Sequence, residues 1–275
     1  MLEQPTLLPL SWQRRLPILV GGWLCYALAV RSLLYLMGFL ANRGVAKTVD
    51  SAAAGPALPA LALDFGWLMV FVLPHSWLAS ERMKRWLGER LPAWAETSGY
   101  GLVSALSLVL LMWQWRPVPE PIWRAEGSAR WLLEGLFFAG WLLALAASWT
   151  LGHFRLFGLA PVLAHVRGRP APPPALCRHG LYARLRHPMY LGFLLALWAA
   201  PTFSLGRALF ASTLSLYIAV GIRLEEAKLA ERFGGEYRAY RRAVPALLPR
   251  WRPLLRGRQP EPLQQSGPPG SAADG

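Results

Sequence analysis

Four runs of apolar residues, 16–40, 60–80, 99–115 and 131–151, and a fifth of 35 residues, 188–222, dictate what this chain can fold into. An α-helix rises 1.5 Å per residue, so about 20 apolar residues cross a hydrocarbon core roughly 30 Å thick. The third run is short, and Trp113, Trp115 and Trp123 beside it suit the membrane–water boundary. Pro74 predicts a kink near the end of the second. The fifth run would make a helix about 52 Å long, too long for one crossing. Pro201-Thr202, followed by Ser204 and Gly206, divides it into a hairpin of two helices, 188–203 and 205–222. The expectation is an all-α polytopic integral membrane bundle of about six spans, one domain over residues 1–258.

Charge orients such a bundle. Only 16% of the residues are charged, against roughly 25% in a soluble domain, yet the net charge is +14. In a soluble chain that excess points to nucleic acid. Here the basic residues lie between apolar runs, so the partner they imply is anionic membrane lipid and not nucleic acid. With the N-terminus inside, segments 1–15, 81–98, 152–187 and 223–275 carry 22 Lys and Arg. The outer loops carry six: Arg43, Lys47, Arg116, Arg124, Arg130 and Arg207. That asymmetry predicts cytoplasmic termini. The first run is too long for the apolar part of a cleaved leader and reads as a retained span. Cys25 in that run and Cys177 in a basic loop give no disulfide framework. Past the last span, 223–233 reads as a charged helix, broken at Gly234-Gly235 and resumed over 236–242. Leu229, Phe233, Tyr237 and Tyr240 then share one face of a cytoplasmic amphipathic helix. Residues 259–275, rich in Pro, Gly, Ser and Gln, predict a disordered tail.

Chemistry concentrates where the fifth run begins, in His179-Gly-Leu-Tyr-Ala-Arg-Leu-Arg-His-Pro-Met-Tyr-Leu-Gly192. Pro188 suits a first helical turn. The free N–H groups of that turn offer an anion site beside Arg186-His187. The plainer alternative makes Arg186 a snorkelling anchor and His187 a cap. Glu225-Glu226 stand just past the last span, and the hairpin returns them to the membrane face of Arg186-His187. Two acids in a basic rim are unusual, although pairing with Arg223 or Lys228 on a solvated helix would also explain them.

Arg186-His187-Pro188-Met189-Tyr190 with Gly192 resembles the R-H-P-x-Y-x-G motif of the membrane methyltransferases that act on isoprenylcysteine carboxylates and phospholipid amines. Glu225-Glu226, Leu229, Phe233-Gly234, Tyr237, Tyr240 and Val244-Pro245 resemble that family's ending. Upstream, His75-Ser76-Trp77-Leu78-Ala79, Trp113 to Pro117 and His153 to Leu159 resemble the methanethiol S-methyltransferase branch, to which nurim is related. Arg155 stands where that branch has an acidic residue, and Ala160-Pro161 where it has Arg-Gln, departures that bear on the acceptor.

The resemblance implies S-adenosylmethionine as methyl donor, with His179, Gly180, Tyr182, Arg186, His187, Pro188, Tyr190, Gly192, Tyr237 and Tyr240 around it. Arg186 would pair with the donor's carboxylate, and the tyrosine rings would face its sulfonium and adenine. It implies methanethiol as acceptor, near His75 and His153, with dimethyl sulfide as product. Glu225 is then the candidate base, Glu226 its alternate and Arg223 an electrostatic partner. A bacterial inner membrane follows from the same likeness. Three other readings stay open: a prenylcysteine or phospholipid acceptor, a non-enzymatic nurim-like protein, or haem ligated among His75, His153 and His187, which lie near the inner ends of spans. No metal-ligand spacing favours the last, and His75 and His153 read more readily as hydrogen-bonded packing residues between helices than as ligands.

Overall fold

The computed structural model describes residues 11–52, 55–169 and 175–248, so the predicted tail lies outside the described residues. Among the described residues, five helices are long and apolar enough to cross a membrane. They are α1 (Trp12–Ala41), α2 (Ala57–Leu78), α4 (Ala93–Gln114), α5 (Gly127–Leu151) and α9 (Leu205–Ala243). Three short helices join them: α3 (Glu81–Gly88), α6 (His153–Leu156) and α7 (Leu159–Val166). A 3-10 turn, Gly180–Ala183, leads into α8 (Pro188–Trp198). The all-α membrane architecture is as the apolar runs predict, and α2 continues through Pro74 to Leu78.

The hairpin differs in detail. α8 has 11 residues and stops at Trp198, because Pro201 lacks an amide hydrogen and disfavours helix in the residue before it. Alone α8 covers about 16 Å, half a hydrocarbon core. Extended residues follow it, and Thr202–Ser204 (β2) pairs antiparallel with Pro121–Arg124 (β1). That pairing, a Trp123–Phe203 stack at 4.1 Å, and a hydrogen bond from Trp123 Nε1 to the Ala200 carbonyl supply partners for non-helical backbone. The Ser204 side chain then caps α9, accepting from the Arg207 amide at 3.0 Å. α9 runs as one element of 39 residues, and the break expected at Gly234-Gly235 is a kink, with Gly234 at φ 52°.

Arg207, counted above as a loop cation, is 1% exposed. Its guanidinium donates to the carbonyls of Leu197 (3.3 Å), Ala196 (3.2 Å) and Leu40. A cation thereby faces the negative C-terminal ends of α8 and α1. Around it Phe39, Leu68, Leu111, Met112, Trp115, Phe203 and Phe210 form the core. Outward, Leu24, Leu58, Leu73, Leu142 and Leu216 are exposed, a surface that suits lipid rather than water.

Two glycines set the tightest helix contact. A Cβ on Gly192 of α8 would stand 2.5 Å from the Gly140 carbonyl of α5, and one on Gly140 would stand 2.6 Å from the Gly192 carbonyl. Backbone meets backbone there, as small residues allow between membrane helices. The loops after α1 and α4 and before α9 gather at one end of the bundle. Ser204 Oγ bonds Asp50, and Trp115 Nε1 donates to the Val49 carbonyl at 3.2 Å. The charged half of α9 lies at the other end, where Lys228 Nζ donates to the Ala79 carbonyl at 2.8 Å.

Candidate active site

Three chain segments converge at that second end: the start of α8, the charged part of α9 and the residues just after it. Arg186 donates from Nε (2.8 Å) and Nη2 (2.5 Å) to Glu226 Oε1, and from Nη1 to the carbonyls of Arg241 (3.1 Å) and Val244. The two side chains are 11% and 9% exposed, so this is a buried pair. His187 Nε2 lies 3.2 Å from the same Glu226 oxygen, and Arg241 Nε is 3.2 Å from the other. Burial pushes the Glu226 carboxyl up. The hydrogen bonds from Arg186 and His187 and the charges of Arg186 and Arg241 outweigh that and hold it below its ordinary range. Backbone closes the nest, since the amides of Arg186 and His187 donate to the carbonyls of Pro245 (2.9 Å) and Ala246 (3.0 Å).

Glu225 and Glu226 are adjacent on a helix, so their side chains diverge by roughly 100°. Glu226 turns inward and Glu225 stays 46% exposed at the rim. Glu225 Oε2 accepts from the Tyr190 hydroxyl at 3.0 Å and approaches His187 Nδ1 at 3.8 Å. The His187 ring stacks on Tyr190 with centroids 5.6 Å apart. Tyr240 donates to the Tyr182 carbonyl at 2.6 Å, fixing the 3-10 turn against α9. Tyr237 is fully buried, and its hydroxyl has no partner among the described residues. It lies within electrostatic reach of Glu226, Arg186 and Arg241.

Arg186, His187, Tyr190, Glu225 and Glu226 thus meet directly, with Tyr182, Tyr237 and Tyr240 around them. Other predicted residues lie elsewhere. Gly192 faces α5. Pro188, buried, occupies the first turn of α8. His179 is exposed, with Nδ1 3.8 Å from Cys177 Sγ. Gly180 sits against Thr150, and Arg223 is exposed on α9. His75 is bonded to Ser104 (2.9 Å) through Nδ1 and to Tyr100 (2.6 Å) through Nε2. Its neighbours Tyr100 and Tyr217 come within electrostatic reach of Tyr190. His153 belongs to a separate cluster, with Ser148 on Nδ1 (2.9 Å), Tyr26 on Nε2 (3.1 Å) and Trp149 stacked at 4.7 Å. Sequence reading passed over Arg241, which closes the nest from beyond the Gly234 kink. The kink resets the helical register, so no periodic pattern from Glu226 points to it.

Residues 65–248 match the family described as NnrU protein. The chain belongs to the NnrU family. Methanethiol S-methyltransferase 2 of Bradyrhizobium diazoefficiens is 40% identical to it over 236 residues, covering 86% of this chain and 91% of that protein. Methanethiol S-methyltransferase of Mycobacterium tuberculosis is 38% identical over 237 residues, covering 86% and 97%. Nurim of Homo sapiens is 36% identical over 184 residues, covering 62% and 69%. No solved structure matches the chain.

Proposed function

We propose that the chain is a membrane methyltransferase that transfers a methyl group from S-adenosylmethionine to methanethiol, giving dimethyl sulfide. The observation that carries this reading is a buried Arg186–Glu226–His187 nest with a second carboxylate, Glu225, half exposed at its rim. The likeness to methanethiol S-methyltransferases over most of the chain supports the same reaction class.

The residues fit such a donor. It carries a sulfonium, an amine, a carboxylate and a flat adenine. Tyr182, Tyr190, Tyr237 and Tyr240 supply aromatic faces beside two acids, a setting that attracts a cation. The Tyr237 hydroxyl, buried with no partner among the described residues, needs a hydrogen-bond partner that a polar ligand would give. For the carboxylate, the first turn of α8 offers amides, and Arg241, 58% exposed, offers a guanidinium. Arg186 has four N–H bonds already committed, which suits it to holding Glu226 and the chain end more than to pairing with the donor. When bound, the donor supplies an electrophilic methyl on a positively charged sulfur.

The chain's part is to make the thiolate and exclude water. An unperturbed thiol, with a pKa near 8.5, is mostly protonated at neutral pH. Glu225 at the rim would accept the thiol proton, and the thiolate sulfur would take the donor's methyl as the methyl–sulfonium bond breaks and S-adenosylhomocysteine leaves as a neutral thioether. Cation and anion cancel in that step, which a dry pocket favours. The partly buried His75 cluster, bordering Tyr190, lines the acceptor side, while His153 acts in packing α1 against α5. Both ring nitrogens of each histidine are hydrogen-bonded, so ligating haem would cost existing bonds.

Purified protein given S-adenosylmethionine and methanethiol should release dimethyl sulfide into the headspace. Methylation of a prenylcysteine or phospholipid instead would replace the acceptor and keep the reaction, and no methyl transfer to any of these would overturn the reading. We further propose that both termini are cytoplasmic, which the charge asymmetry supports, and that the membrane is a bacterial inner membrane, which the likeness to bacterial methanethiol S-methyltransferases supports. A reporter inserted after residue 204 should read external, and an internal signal would invert the topology.

A further inference from the structure

The end of the bundle away from the candidate active site holds a cavity of about 470 Å³ with a different chemistry. It opens between the end of α1, the start of α5 and the turn before α9. Arg43 and Arg130 stand at its edge, 54% and 58% exposed, and both reach one carboxylate oxygen, Glu134 Oε1, at 3.0 and 3.3 Å. Each guanidinium has five N–H donors and gives one contact to Glu134 while staying more than half exposed, so most donors of both have no partner among the described residues. Arg207 lies behind them and adds charge, although its own donors go to helix-end carbonyls. Three cations thus border one glutamate in the lining. That surplus suits an anion with several acceptor oxygens.

An apolar track begins at the same place. Trp131, Phe138, Leu142, Leu145 and Trp149 are 70, 38, 66, 48 and 55% exposed. At 100° per residue all five fall within about 40° of Trp131 on the α5 surface. Trp131 and Phe138 also line the cavity. The opposite face of α5, with Phe137, Gly140, Ala144 and Ala147, is buried. From Trp131 to Trp149 the track is about 27 Å long, near the depth of a hydrocarbon core.

A charged mouth at the end of a membrane helix, continued by an apolar stripe along it, has the shape of a phospholipid. We propose that this cavity binds the phosphodiester headgroup of a phospholipid in the leaflet opposite the candidate active site. Arg43 and Arg130 hold the phosphate oxygens, and an acyl chain lies on the Trp131–Phe138–Leu142 stripe. Glu134 keeps the two guanidinium groups converged.

Native mass spectrometry in detergent micelles tests this with phosphatidylglycerol as the probe. The wild-type protein should retain one tightly bound phosphatidylglycerol, whereas diacylglycerol, lacking the phosphate, should be lost. Glycerol 3-phosphate, which lacks the chains, should bind at least 100-fold more weakly. The double variant Arg43→Gln/Arg130→Gln should weaken phosphatidylglycerol binding tenfold or more with methyl transfer unchanged. If that variant does not fold, Arg43→Gln alone should still cost threefold or more, because Arg130 continues to hold Glu134. Equal retention by wild type and variant, or of diacylglycerol and phosphatidylglycerol, overturns the proposal.

Discussion

Replacing Arg186 with alanine is expected to destabilise the protein by about 3–5 kcal/mol, the cost of leaving one partner of a buried ion pair alone, and to abolish methyl transfer. Glu226 would keep its burial and lose its principal partner, since Nε and Nη2 of Arg186 both bond its Oε1. Arg241 and His187 remain, yet Arg241 is largely solvated. The carbonyls of Arg241 and Val244 would lose their donor in the same step. Arg186→Lys should recover only part of the loss, because an ammonium cannot bridge a carboxylate and two carbonyls in one plane. pH dependence separates the pair from simple packing. Glu226 is held below its ordinary value in the folded state, so its contribution is present at neutral pH and fades as pH falls through the folded-state value. Thermal unfolding across that acid range should show the fade in wild type and lose it in Arg186→Ala. Equal stability of the two proteins at neutral pH would remove Arg186 from its central position.

Glu225→Gln should lower turnover by about 10²–10⁴ at neutral pH, the usual contribution of a general base, with donor affinity nearly intact. The carboxylate is half exposed, and its hydrogen bond from Tyr190 survives as one to an amide oxygen. The variant should regain activity as pH approaches 8.5, where the thiol ionises unaided. Wild type should gain much less over the same range. Activity of Glu225→Gln equal to wild type at neutral pH would mean that no base acts from this position.

The spans were legible because an apolar run is its own signal. α1 and α5 cover their predicted runs and begin four residues earlier, while α2 and α4 begin earlier too but end two residues and one residue short of theirs. α8 was overestimated because nothing in 199–203 announces that three residues of β2 will pair with β1, some 80 residues earlier. Arg207 read as a loop charge because its partners are backbone carbonyls, which carry no sequence signature. At the candidate site the motif residues of Arg186-His187 and Glu225-Glu226 did come together. Which glutamate turns inward was open, since adjacent helical positions point apart and either could have faced the bundle. Gly192 belongs to the same motif, but its position against Gly140 gives it a packing role that the motif alone does not distinguish from ligand contact.

The backbone bonds from Arg186 and His187 to Pro245 and Ala246 also bear on biosynthesis. Every apolar run is synthesised before residue 223 is added, so the segment that closes the last wall of the nest is made after all of them. Only when the segment after α9 emerges do Arg186 and His187 find their last acceptors. The nest is therefore the last part of the bundle whose residues are all available, its final acceptors coming from chain made after every membrane-crossing run.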